Sequence, residues 1–171
     1  MLMTIFDLTT LYTHQLSQIY SIEAQATEAL PRLTISASFF EVWRVVEGHA
    51  ARAVKHKERT EALLRCHRAS QTTHADQVAG ELLHKAEMFL TSVGDPDLRD
   101  AALVASLRMI GHYKVAAYIT AVAYAKALSF EIDRRILQAL LAEERQADCE
   151  LESLEGETNH LALLVSTPAY L

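Results

Sequence analysis

Residues 97–118 read DLRDAALVASLRMIGHYKVAAY. Within and just beyond this stretch, Leu103, Leu107, Ile110, Lys114, Tyr118 and Ala121 recur at steps of three and four. That spacing lays one stripe along an α-helix. Lys114 stands in the middle of the stripe. An ammonium inside a helix bundle is costly unless it is paired or reached by water. The stretch therefore predicts a bundle with a charge built into its interior.

The helix is predicted over residues 96–128, with Asp95 as its cap and Pro96 in its first turn. Gly94 closes the element before it. Gly111, in the helix interior, costs about 1 kcal/mol against Ala, and close packing against a neighbour is its expected reason.

The same pattern extends along the chain. A first helix over residues 4–30, ending before Pro31, carries the stripe Tyr12, Leu16, Ile19, Glu23, Ala26, Leu30. A second begins at Ser36 or Ser38 and runs to residue 67, with the stripe Val42, Val45, His49, Arg52, His56, Thr60, Leu63. A register moved by one residue (Val46, Ala50, Ala53, Lys57) is also acceptable, so Arg52 can face inward or flank the stripe with its head in water. Thr73 and Asp76 have the form of a capping box for a shorter third helix over residues 74–92. Ser129 is the expected cap of a fifth helix, whose stripe reads Leu137, Leu140, Glu144, Ala147, Leu151, Leu154 and which stops near Gly156. Four stripes thus each hold one charge: Glu23, Arg52, Lys114 and Glu144. Two acids and two bases sum to zero.

The length of 171 residues suits one domain, expected over residues 1–157, with an apolar tail at 158–171 docked on the bundle or on a second subunit. Apolar residues make up 50% of the chain, Gly and Pro are scarce, and Ala and Leu abound, which favours an all-α fold. A net charge of −6 argues against general nucleic-acid binding. Cys66 and Cys149 lack metal-type spacing and are expected as free thiols in a reducing cytoplasm. Neither a signal peptide nor a membrane span is expected.

DLRDAALVASLRMIGHYKVAAY, followed by LLAEERQADCELESL at residues 140–154, resembles the YciE/YciF-type ferritin-like family. LYTHQLSQIYSIEAQATEALPRL at residues 11–33 resembles that family's first helix, and VVEGHAARAVKHKERTEALL at 45–64 lies over its second. The resemblance covers most of residues 5–155 and is weakest over 65–91. It implies a ferritin-like four-helix bundle with an additional crossover helix, a carboxylate set around two metal ions, and a link to bacterial stress responses. By the same resemblance, Glu23 is a kept ligand. The second-helix acids fall on Ala51 and Arg52, and the fourth-helix acids on Gly111 and Lys114, so all of these are lost. Glu143, Glu144 and Asp148 are kept.

Half of the implied carboxylates are missing, and two of their positions are cationic. The expectation is a metal-depleted bundle with ion pairs, Glu23 with Lys114 and Glu144 with Arg52, and with no cofactor. It acts through protein contacts as a stress-associated or accessory homodimer. The enzymatic alternative is an iron or manganese oxidase, ferroxidase or catalase-like protein; a third is an adaptor or inhibitor of an unknown protein partner. A residual mononuclear site could draw on Glu23, His49, His56 and Glu144, with His112, Glu143 and Asp148 as further candidate positions. His14, His67, His74, His84 and His160 form no constellation. Arg52, Lys55, Lys57 and Arg59 read as a solvated face, Arg52 being its one inward member. Tyr12, Tyr20, Trp43, Tyr113, Tyr118 and Tyr124 read as core and interface. No nucleophile elbow or phosphate loop is present, and Cys149, beside Glu150, has no activating neighbour in the sequence.

Overall fold

The computed structural model describes residues 5–70 and 75–165. It is an all-α, ferritin-like bundle in the order α1 (Leu8–Thr34), α2 (Phe40–Cys66), α3 (Gln77–Ser92), α4 (Pro96–Ala127) and α5 (Glu131–Val165). The long helices α1, α2, α4 and α5 form the bundle, and α3 is the additional helix of the crossover, packed on α4 and α1. Among the described residues no helix is long and apolar enough to cross a membrane.

Helix ends follow local chemistry, with several departures from expectation. Asp7 caps α1 by accepting from the Thr10 amide at 2.7 Å. The helix does not stop before Pro31 but runs on to Thr34. Proline forfeits one bond in this last turn, while continuing the helix seats Leu33 in the core at 1% exposure. Neither Ser36 nor Ser38 caps α2 with its side chain. The start of α2 is held from across the bundle, where Asp100 of α4 accepts from the Ser38 amide at 2.9 Å and the Phe39 amide at 2.6 Å. Asp76 caps α3 through the Ala79 amide at 2.8 Å; Thr73 lies outside the described residues. No glycine among the described residues has positive φ, and the Arg99 guanidinium covers the Val93 and Gly94 carbonyls at 3.0 and 3.1 Å instead. Asp95 caps α4 as expected, 2.9 Å from the Asp97 amide.

Ser129 ends α4 rather than starting α5. Its φ is 58°, and the Phe130 amide bonds back to the Ala125 carbonyl at 2.9 Å, a left-handed closing turn. Arg68, with φ of 52°, closes α2 in the same way through the Ala69 amide and the Leu64 carbonyl at 3.0 Å. Gly156 does not end α5: the helix passes through it to Val165, burying Thr158 and Ala162 and leaving Leu163 and Leu164 exposed. The expected boundary at residue 157 is therefore continuous helix, and residues 166–171 lie outside the described residues.

The core has two apolar parts. One gathers Leu30, Leu33, Val42, Val46, Leu90, Leu103, Leu107 and Leu151. The other gathers Tyr12, Leu16, Ile19, Leu63, Tyr118, Leu137 and Leu140. Buried polar residues lie between them. Asp100 meets Phe39, and Tyr118 meets His56, so α2 and α4 run parallel with an offset that sets His49 level with Gly111 and Arg52 level with Lys114.

Candidate functional site: a buried charge cluster

Glu23 from α1, His56 from α2, Lys114 and Tyr118 from α4, and Glu144 from α5 converge at mid-bundle. Their exposures are 0, 0, 4, 0 and 1%. Each sits on its helix's inward stripe, and the apolar layers to either side keep water away. The Lys114 ammonium lies 2.7 Å from Glu144 Oε1 and 3.0 Å from Glu23 Oε2. His56 Nδ1 is 3.1 Å from Glu144 Oε1 and 3.6 Å from Glu23 Oε1. Its Nε2 meets Glu143 at 3.1 Å, and Lys55 holds that carboxylate from outside at 2.9 Å. The Tyr118 hydroxyl donates to Glu23 Oε1 at 2.9 Å.

Burial alone would strip Lys114 and His56 of their protons, and in both cases it is the strongest single influence. The two carboxylates together outweigh it. Lys114 is held above its ordinary value, and His56 is pushed up to about 9. Burial also opposes ionisation of Glu144, but Lys114 and His56 overcome it and hold the carboxyl well below its usual range. At neutral pH the Lys114 ammonium and the His56 imidazolium therefore face the Glu144 carboxylate, with Glu23 in contact with both. Burial drives the Tyr118 hydroxyl well above its usual value, and the nearby carboxylates add to this. It stays a neutral donor.

The expected residues divide clearly. Glu23, Lys114 and Glu144 come together. Arg52 does not join them: its guanidinium leans toward Glu150 of α5, with Nη2 3.8 Å from a carboxylate oxygen. The expected Arg52–Glu144 pair is therefore corrected, and the partners of Glu144 are Lys114 and His56. The rest of the expected stripe (Val42, Val45, His49, His56, Thr60, Leu63) is buried, and between His49 and His56 the inward position is taken by Ala53, with Arg52 flanking it. His49 is buried and lies outside the Glu23–His56–Glu144 set. Burial, followed by the charges of Arg52 and Lys114, lowers it to about 4. Asp148 pairs with Arg108 at 3.1 Å, and largely exposed His112 lies 3.5 Å from it. A Cβ at Gly111 would meet nothing within 4 Å, so close packing does not account for this glycine.

A second polar knot went unseen in the sequence. Tyr12 donates to Asp133 Oδ2 at 2.8 Å, and His67 Nε2 reaches the same oxygen at 2.5 Å. Phe130 packs on the His67 ring at a centroid distance of 4.9 Å. In the sequence Asp133 is an acid in the first turn of α5 and His67 belongs to no constellation, because their meeting joins residues 66 positions apart.

Ligand atoms of Glu23, His56 and Glu144 lie within 4.8 Å of one another, the spacing a single ion would need. The residues present do not fit two divalent ions. Such a centre needs several anionic oxygen donors, and here the Lys114 ammonium fills the space between the two central carboxylates.

The model of the family described as a domain of unknown function (DUF892) matches residues 7–162. Protein YciF of Escherichia coli (strain K12) is 28% identical over 144 residues, which are 84% of this chain and 87% of that protein. The crystal structure of the E. coli stress protein YciF superposes with a TM-score of 0.87 at 24% identity, covering 91% of this chain and 99% of that one. YcfI from Rhodopseudomonas palustris superposes with a TM-score of 0.82 at 27% identity, covering 86% of this chain and 94% of that one. The match runs from the cap of α1 almost to the end of α5, and the chain belongs to the DUF892 family as a YciF-type member.

Proposed function

We propose that this protein is a non-enzymatic, metal-depleted bundle, stress-associated or accessory, that acts through protein contacts. In this reading buried ion pairs stand where a dinuclear metal centre would be. The observation that carries it is Lys114 Nζ at 2.7 and 3.0 Å from Glu144 and Glu23. A cation that the chain itself supplies neutralises the carboxylates that an ion would otherwise need. The stress association is supported by the description of the E. coli relative as a stress protein. Contact surfaces are supported by exposed apolar groups, among them Phe40 stacked on Trp43 at 5.8 Å, and Leu163, Leu164 and Val165 at the end of α5. A homodimer and a cytoplasmic location belong to the same proposal.

The test is elemental analysis of protein grown with iron and manganese and purified without chelator. The proposal expects far less than one equivalent of metal per chain. About two equivalents, as a dinuclear site requires, would overturn it in favour of the oxidase or ferroxidase reading. About one equivalent, lost on Glu23→Gln, would assign the Glu23–His56–Glu144 set to a single ion.

A further inference from the structure

Arg52 presents an unused fork. Its Nε and Nη2 atoms, which together form the side-on edge of the guanidinium, are both shielded from solvent and have no hydrogen-bond partner. The nearest carboxylate, Glu150, stays 3.8 Å from Nη2, too far for a hydrogen bond. One turn before it on the same helix, His49 is 6% exposed, and its Nε2 also lacks a partner. Buried donors left unmade are costly, and native structures rarely leave several of them in one place. Across the bundle, at the level of His49, stands Gly111, itself buried and with open space where a side chain would begin.

The surrounding charges call for an anion. Glu23, His56, Lys114 and Glu144 pair with one another, and Asp148 is occupied by Arg108. Arg52 has Glu150 as its nearest counter-charge, at ion-pair distance but beyond hydrogen-bond reach, so its fork is still without an acceptor. The side-on edge of a guanidinium matches a planar carboxylate with two parallel hydrogen bonds. A singly charged ligand brings less negative charge beside Glu144 and Glu150 than a doubly charged oxyanion would.

We propose that Arg52 and His49 form a binding site for a small monocarboxylate of about acetate size, held by the Arg52 fork and the His49 ring in the space beside Gly111. Arg52 and Gly111 fall on two of the lost ligand positions, yet the two readings are tested apart. Metal content reads the Glu23–Lys114–Glu144 cluster, and carboxylate binding reads Arg52, so either can fail alone.

The test is thermal unfolding of the full chain at neutral pH, in sodium acetate against sodium chloride at matched ionic strength. Acetate is expected to raise Tm in a saturable way that chloride does not reproduce, and to displace the Arg52 Nε–H signal in the NMR spectrum of the unaltered protein. Arg52→Lys keeps the charge but lacks the fork, and should lose the response. Gly111→Glu supplies a carboxylate from within and should raise Tm without acetate while abolishing the acetate effect. Equal behaviour in acetate and chloride, or a full response in Arg52→Lys, overturns the proposal. A response that emerges only in Glu150→Gln also overturns it, since Glu150 would then be the native occupant of the fork.

Discussion

Lys114 on α4 places its ammonium 2.7 Å from a carboxylate oxygen of Glu144 on α5, in a layer where neither side chain is more than 5% exposed. Removing one partner of such a pair leaves a charge buried without compensation. Lys114→Met is therefore expected to cost about 3–5 kcal/mol. Part of this should return as the pH falls, because a protonated Glu144 no longer needs the cation. Urea unfolding at neutral and mildly acid pH measures both effects. An unchanged midpoint would remove Lys114 from the account of stability.

Lys114→Glu carries the same logic to metal. It places a third carboxylate beside Glu23, His56 and Glu144, so the metal-free variant should unfold more easily than the parent. Added manganese should raise Tm in the variant and leave the parent unmoved. A parent that responds as strongly as the variant would show that the lysine does not exclude the ion.

Stability is expected to peak near the ordinary histidine pKa, because two buried histidines titrate in opposite directions. His56 faces Glu23, Lys114, Tyr118, Glu143 and Glu144 and is raised from 6.5 to about 9. Its contribution is complete below 6.5 and is lost as the pH rises through about 9. The size is on the order of 3 kcal/mol. His49 faces Arg52, Lys114, Glu144 and Asp148 and is lowered from 6.5 to about 4. Its contribution is present above 6.5 and is lost as the pH falls toward 4. Unfolding free energies measured across this range should show both limbs. His56→Gln should flatten the alkaline limb and His49→Gln the acid one.

Asp100 is expected to govern the start of α2 although it belongs to α4. Its carboxylate accepts from two backbone amides at 2.9 and 2.6 Å and is 2% exposed. Asp100→Ala should cost about 3 kcal/mol, the worth of two hydrogen bonds to a buried charged acceptor. Hydrogen exchange should quicken at the Ser38 and Phe39 amides and in the first turn of α2, with much smaller change in the middle of α5.

Gly111→Ala should stabilise the chain by up to about 1 kcal/mol, the helix-propensity difference. The added methyl meets nothing within 4 Å. Loss of stability would mean that the space beside Gly111 is already filled, and chemical denaturation decides this directly.

Much of the fold could be read from residue spacing. Steps of three and four placed Glu23, Lys114 and Glu144 on inward faces, because the angle of a side chain about its own helix axis is a local property. Asp95 was readable as a cap for the same reason: a cap acts on amides two or three residues away. Asp76 has in the sequence the place of the acid in a capping box begun by Thr73, whereas it is itself the cap of α3. His56 stood in the written stripe of α2, and its place in the second helix's pattern was the signal that could have raised it above Arg52. The structure keeps that stripe at Val42, Val45, His49, His56, Thr60 and Leu63, and departs from it at one position, where Ala53 rather than Arg52 is buried.

The sequence by itself determined that the chain is helical, which stripe each helix buries, and that charges lie inside. Only the tertiary structure decided that His56 rather than Arg52 completes the central cluster, that α4 caps α2 through Asp100, and that α1 continues past Pro31 to bury Leu33. Periodicity fixes a residue's direction from its own axis. It leaves free the rotation and sliding of one helix against another, and those are set by which side chains fill the shared core.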